Sequence, residues 1–219
     1  MAKRFAVFGA ESIFTADYAE TVERLGYVLD LAIVDGEPEW DMAGLNPKTL
    51  AQCRPDDVSV PCGIPWVTPG LKWQKAQAAI THGFHDFPSL VDPHASLART
   101  ATVARGVFAG ASATIGALAV VGEFALLNRN ASLGHHSRLG SYASLGPGSV
   151  VAARCSIGSG TMVGAGAIVT PGISVGANCL IAAGAVVTRD MPDQVMCAGN
   201  PARVTQSGYS GYKDALVPT

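Results

Sequence analysis

From Val91 onward an apolar side chain returns at every sixth residue: Val91, Leu97, Val103, Ala109, Ile115, Val121, Leu127, Leu133, Leu139, Leu145, Val151, Ile157, Val163, Val169, Val175, Ile181 and Val187. All but Ala109 are Val, Ile or Leu. The next residue is glycine at 110, 116, 122, 134, 140, 146, 158, 164 and 176, and the residue four places on is small, as in Ala95, Ala101, Ala113, Ala119, Ala125, Ala131, Ser137, Ala143 and Ser149. A period of six is neither the 3.6 of a helix nor the simple two of a strand. It predicts a coil of short strands joined by tight corners. The large apolar residue of each hexad points inward, the small residue fits beside it, and glycine relieves the backbone at the corner.

The first 88 residues lack that rhythm and carry denser charge. Phe5 to Ala10 reads as a strand ending in a glycine turn, Asp17 to Gly26 as a helix closed by glycine, and Leu29 to Val34 as a second strand ending at Asp35-Gly36. A later helix is expected over Lys72 to His82, after Pro69-Gly70. Strand, helix and strand with an acidic residue at the end opens a nucleotide-binding α/β unit. The phosphate-cradling loop is reduced, however, to Gly9-Ala10-Glu11-Ser12-Ile13-Phe14. It has one glycine, and Glu11 brings a negative charge to where a pyrophosphate would sit. A small α/β domain that shapes a cleft without gripping a nucleotide reads equally well. The chain thus divides into an α/β domain (1–88), a column of hexads (89–192) and a C-terminal tail (193–219).

Composition narrows the partners. With 15 Lys+Arg against 17 Asp+Glu, a net charge of −2 and no basic cluster with interleaved aromatics, the chain is not expected to bind nucleic acid. The five cysteines are odd in number, widely spaced and free of CxxC pairs, so neither a disulfide framework nor a metal site is expected. Cys155 to Thr188 carries no charge, but glycines and Pro171 interrupt it, and a membrane span is not expected. Met1-Ala2-Lys3-Arg4 precedes only a short apolar run, which does not read as a signal peptide. The expected location is the cytoplasm.

The hexad pattern resembles that of the hexapeptide-repeat acyltransferases. The resemblance implies a left-handed parallel β-helix with three hexads per triangular coil, although the general rule for parallel crossovers favours the opposite hand. Both halves together resemble the bacterial sugar acetyltransferases that join a small Rossmann-like domain to such a helix, among them bacillosamine and perosamine N-acetyltransferases and sialic-acid O-acetyltransferases. Gly83-Phe84, Val91-Asp92-Pro93 and the closing Ala198-Gly199-Asn200-Pro201-Ala202-Arg203 carry that likeness.

Leu127-Asn128 through His135-His136-Ser137-Arg138-Leu139-Gly140 resembles the family's active-site stretch, Ile-Asn-Thr-x5-His-Asp/Glu-x2-Ile-Gly. The resemblance implies that His135 is the catalytic histidine. Acyl transfer from a thioester needs a base for the proton of the attacking amine or hydroxyl, and imidazole suits that task. His136 replaces the family's carboxylate and cannot supply its charge. It is expected to bind the acceptor or to face solvent. The resemblance further implies a donor site for acetyl-CoA at Ser144, Gly164, Ala165, Ala183, Gly184 and Arg203. It places the acceptor at Glu11, Ser12, Ile13, Asp35, Gly36 and Asn128. The near-absence of charge on the coil surface implies apolar faces covered by neighbours, so a homotrimer with active sites between its subunits is expected. The acceptor would be an amine or hydroxyl of a sugar, nucleotide-linked in the usual members. An O-acyltransferase acting on another small acceptor and a non-catalytic solenoid scaffold are the competing readings.

Overall fold

The computed structural model describes residues 3–36, 45, 47–54 and 56–219; Met1 and Ala2 lie outside them. A parallel four-stranded sheet opens the chain, in the order β3-β2-β1-β4, from β1 (Lys3–Phe8), β2 (Tyr27–Val34), β3 (Pro47–Thr49) and β4 (Cys62–Gly63). Two helices, α1 (Thr15–Arg24) and α2 (Pro69–Thr81), flank it. Both begin two or three residues before their expected starts. Pro69 supplies a preset first turn for α2, and Asp17 lies inside the first turn of α1.

Each hexad then contributes one two-residue strand that ends on the periodic apolar residue, from β5 (Leu90–Val91) to β21 (Val186–Val187). Every third strand pairs in parallel, as in Thr102–Val103, Val120–Val121 and Arg138–Leu139, so one coil takes 18 residues. Three stacked sheets result, as in a left-handed β-helix. The first face contains Leu90–Val91, Phe108–Ala109, Leu126–Leu127 and their successors, and the hairpin β22 (Val195–Gly199) with β23 (Ala202–Ser207) extends it. The second face holds β6 (Ser96–Leu97) and its successors, and the third β7 (Thr102–Val103) and its successors.

The column of Ala109, Ile115, Val121, Leu127 and the hexads above is buried together with the small residues beside it. Ser137 and Thr161 fill small-residue slots and stay satisfied, donating to the carbonyls of Ala152 (2.8 Å) and Gly176 (2.7 Å) in the next coil. Leu97 departs from the expectation: it is 42% exposed because no coil lies beneath the first one.

The glycines act differently from the sequence reading. Gly116 and Gly134 are not at left-handed corners; a Cβ there would lie 2.6 Å from the His135 nitrogen and 2.5 Å from the Ala152 carbonyl carbon. They let the next coil approach. The left-handed corner falls two residues later and accepts glycine at 148, 160, 166, 172 and 184, but also Ser112, Leu118, Asn130, His136, Tyr142 and Arg154.

The first face is apolar outside as well as inside, since Leu90, Phe108 and Leu126 pack into the core of the α/β domain. Tyr18 stacks on Phe108 at 4.7 Å. Buried Asp92 accepts hydrogen bonds from Thr21 and Arg24, both at 3.0 Å. Lys72 is only 2% exposed and faces no carboxylate among the described residues; its Nζ donates to Ser144 Oγ at 2.9 Å and the Ala143 carbonyl at 3.5 Å. Burial pushes its ammonium well below the usual lysine range.

Candidate active site

The corner joining the second face to the third carries the histidine pair. His135 and His136 follow Leu133-Gly134, and His136 itself takes the left-handed corner conformation at φ 59°. Both rings are exposed, and their Nδ1 atoms lie 2.9 Å apart. Such a contact requires one Nδ1 to donate and the other to accept, and in the neutral form the donating ring carries no hydrogen on its Nε2. In the coil above, Arg154 donates its backbone N–H to the His135 carbonyl at 3.0 Å. Neither Arg138 nor Arg154 has a carboxylate partner among the described residues.

Asn128 belongs to a different corner, the one between the first and second faces. Its Oδ1 accepts the Arg129 N–H at 2.8 Å, and it is buried. With Phe108 below and α1 beside it, Asn128 lines a crevice of about 200 Å³ that includes Phe14, Asp17 and Arg24. Asp17 and Arg129 form an ion pair at its rim, 2.9 Å apart. Higher on the same corner, Gly164, Ala165 and Ala183 line a groove of about 420 Å³ together with Pro147, Met162, Leu180 and Tyr212. Gly184 takes the left-handed turn beside it.

Two of the expected donor residues do not join the groove. Ser144 is fully buried under α2, held by Lys72 and donating to the Val67 carbonyl at 2.6 Å. Arg203 lines a separate crevice of about 230 Å³ with Arg189 and Met191. The acceptor residues of the α/β domain are also apart from the histidines. Ser12 is buried and Ile13 is exposed at the end of the loop after β1. Glu11 is buried, and Lys75 of α2 forms ion pairs with both Glu11 and Asp35, close to Gly36. Burial works to raise the Asp35 carboxyl, but the hydrogen bond and charge of the Lys75 ammonium outweigh it and hold the group below its ordinary value. Glu11 therefore meets a cation within the chain instead of standing as a bare charge. Its Oε2 is buried without a hydrogen-bond partner among the described residues.

Sequence reasoning missed Lys75 and Trp66. The Trp66 Nε1–H donates to the Gly9 carbonyl at 2.8 Å, and a Cβ on Gly9 would lie 2.5 Å from that nitrogen. The indole fills the place between β1 and β4 where the strand order reverses, the usual crevice for a nucleotide. Contacts spanning 40 to 64 residues leave no local signal.

The cysteines pack. Cys155 and Cys179 donate to the carbonyls of Thr170 and Pro192 at 3.1 Å, and burial pushes the Cys179 thiol up and Cys197 to about 11. Among the described residues no three His, Cys, Asp or Glu side chains cluster to hold a metal ion, and no helix is long and apolar enough to cross a membrane.

Residues 154–189 match the family described as bacterial transferase hexapeptide (six repeats). No curated protein sequence matches the chain. Among solved structures, a histidine-to-asparagine mutant of perosamine N-acetyltransferase from Caulobacter crescentus, in complex with CoA and GDP-perosamine, is 25% identical with a TM-score of 0.85 over 94% of this chain and 98% of that one. PerB from the same organism, also with CoA and GDP-perosamine, is 26% identical with a TM-score of 0.77 over the same shares, 94% and 98%. The acetyltransferase domain of PglB from Neisseria gonorrhoeae, in complex with acetyl coenzyme A, is 24% identical with a TM-score of 0.83 over 93% of this chain and 100% of that one, a likeness of fold. In its unbroken hexads and its parallel α/β sheet set on three stacked faces, the chain is similar to the hexapeptide-repeat acetyltransferases, structurally close to perosamine N-acetyltransferase and sharing the fold of the PglB acetyltransferase domain.

Proposed function

We propose that the chain moves an acetyl group from acetyl-CoA to an amine, or less favourably a hydroxyl, of a sugar. The observation that carries this reading is the His135–His136 contact on an exposed corner of an acetyltransferase fold. His135 donates its Nδ1–H to His136, which leaves the Nε2 lone pair of His135 to accept the proton of the attacking group. The nucleophile adds to the thioester carbonyl, the tetrahedral intermediate expels the CoA sulfur, and the proton held on His135 passes to it. An amide or ester and free CoA result. His136 orients the base, as a carboxylate would, without adding negative charge. The thioester end lies near Asn128, and the pantetheine arm runs up the corner past Gly164, Ala165, Ala183 and Gly184. Asn128 and His135 sit on adjacent corners of the triangle, so a site that uses both takes one from each of two subunits. We place it between the protomers of a homotrimer.

A specific observation favours a second reading of the acceptor. Trp66 and the Glu11–Lys75–Asp35 cluster fill the loop and switch point that a pyrophosphate would need. An acceptor that is not nucleotide-linked, including one acylated on oxygen, fits that plugged loop. One experiment separates these readings: release of free thiol from acetyl-CoA is measured with nucleotide-linked and free amino sugars, using wild-type protein and His135→Ala. Turnover with at least one sugar, and a kcat about 10² to 10⁴ lower in His135→Ala with unchanged CoA affinity, is expected. Turnover only with free sugars selects the second reading. No turnover with any sugar, or a fully active His135→Ala, overturns the mechanism.

A further inference from the structure

The chain continues beyond the hexads into a segment that crosses the first face of the β-helix above the α/β domain. Its far end is clamped at the corner between the third and first faces. There the Asn178 side chain donates to the Val217 carbonyl and accepts the Val217 N–H, both at 2.9 Å and both buried. A Cβ on Gly160 would lie 2.9 Å from Val217, and one on Gly70 of α2 would lie 2.2 Å from the Ala215 carbonyl oxygen. Two glycines therefore make room for this strap. Its near end reaches the opposite corner, where half-buried Tyr212 lines the groove with Met162, Leu180 and Ala183. Gly211 at φ 85° and Lys213 and Asp214 at φ 58° and 55° turn the backbone sharply there.

Chemistry distinguishes the strap from the groove it borders. None of the groove's other lining residues carries a charge. Lys213, next to Tyr212, is exposed and has no carboxylate partner among the described residues. An apolar channel flanked by an aromatic ring and an unpaired ammonium suits a long, uncharged arm that ends in phosphate.

We propose that the C-terminal strap is one wall of the donor site, with Tyr212 packing against the pantetheine arm of CoA and Lys213 meeting its phosphates. This assignment rests on the acetyl-CoA reading above. It gives the phosphate contact to Lys213 and not to Arg203, whose side chain lines a different crevice.

Calorimetric titration of the full chain with CoA and with pantetheine, which lacks the phosphates, tests it. Tyr212→Ala is expected to weaken both ligands about tenfold, the loss of one well-buried apolar contact, and Tyr212→Phe to retain most of the affinity. Lys213→Ala is expected to weaken CoA about threefold at low salt and to leave pantetheine unchanged, as an exposed ion pair would. Arg203→Ala is expected to bind like wild type. The strap's anchor is untouched in these variants, and unchanged melting temperatures check that the fold is intact. Equal CoA binding by Tyr212→Ala and wild type overturns the strap's role while leaving the donor groove standing. A loss in Arg203→Ala with none in Lys213→Ala overturns the phosphate contact. If wild-type protein binds neither ligand, the acetyl-CoA reading fails and this assignment falls with it.

Discussion

Lys72 shows how a single side chain can escape a reading of the sequence. In the pattern it is one polar residue at the start of an expected helix. In the fold it is buried between α2 and the first face, with only Ser144 and a carbonyl for partners among the described residues. Its position depends on a contact seventy-two residues away, and nothing near Lys72 in the chain announces it. The consequence is a pH dependence of stability. Because burial lowers the folded-state pKa, the unfolded chain holds a proton that the folded chain lacks, from about pH 10.4 down to the lowered value. Folding releases that proton, so stability rises with pH across this window, by at most about 1.4 kcal/mol per pH unit. Lys72→Met removes the titration and keeps the volume. It is expected to be more stable than wild type near pH 7, with the difference shrinking towards pH 9.5, by chemical denaturation. A difference that stays flat with pH would show that Lys72 keeps its charge when folded. Glu11 teaches the complementary lesson: the sequence exposed an acid in a phosphate loop, but not the Lys75 that neutralises it or the Trp66 that occupies the switch point.

At the scale of the element, the hexad rhythm was legible because each two-residue strand ends on its periodic apolar residue, and a buried column tolerates only Val, Ile, Leu or Ala there. The role of the glycines was not legible. Both the close-approach position and the left-handed corner are rich in glycine, and only coordinates separate them. Handedness was likewise carried by resemblance, since an inward residue every six positions suits either hand. The two glycine classes give opposite expectations. At Gly116 a methyl group meets the backbone of the coil above at 2.6 Å, and backbone cannot rotate aside. Gly116→Ala is therefore expected to cost more than about 2 kcal/mol and to displace His135. At Gly166 a Cβ meets nothing within 4 Å, and the only penalty is φ 64°, a conformation that Leu118, His136 and Arg154 already adopt. Gly166→Ala is expected to cost about 1 kcal/mol. Urea denaturation of the two variants checks the order; a Gly166→Ala that is the less stable would contradict it.

At the scale of the whole molecule, the three faces are unequal. The first is covered by the α/β domain and the strap. On the second, Val150 and Ile168 are 38% and 40% exposed in adjacent coils, and Leu118 at the next corner is 52% exposed. Exposed aliphatic side chains stacked on a nearly uncharged surface favour burial against another copy. The expected site residues divide in the same way: Asn128 and the groove on one corner, His135 and His136 on the next. The sequence placed these residues seven positions apart, and a hexad repeat turns that short separation into a full side of the triangle. The proposed trimer brings the two corners together from different chains, and mixed assemblies test it. His135→Ala and Asn128→Ala are each expected to be nearly inactive as pure proteins. Co-expressed in equal amounts, they form mixed trimers in which about a quarter of the subunit interfaces join an intact histidine to an intact asparagine, if the subunits mix at random. Activity should then return to about a quarter of the wild-type value, whereas the two proteins purified separately and mixed briefly should remain inactive. Co-expressed protein that stays inactive while sedimenting as a mixed trimer would place both residues in one subunit's site and end the interfacial arrangement.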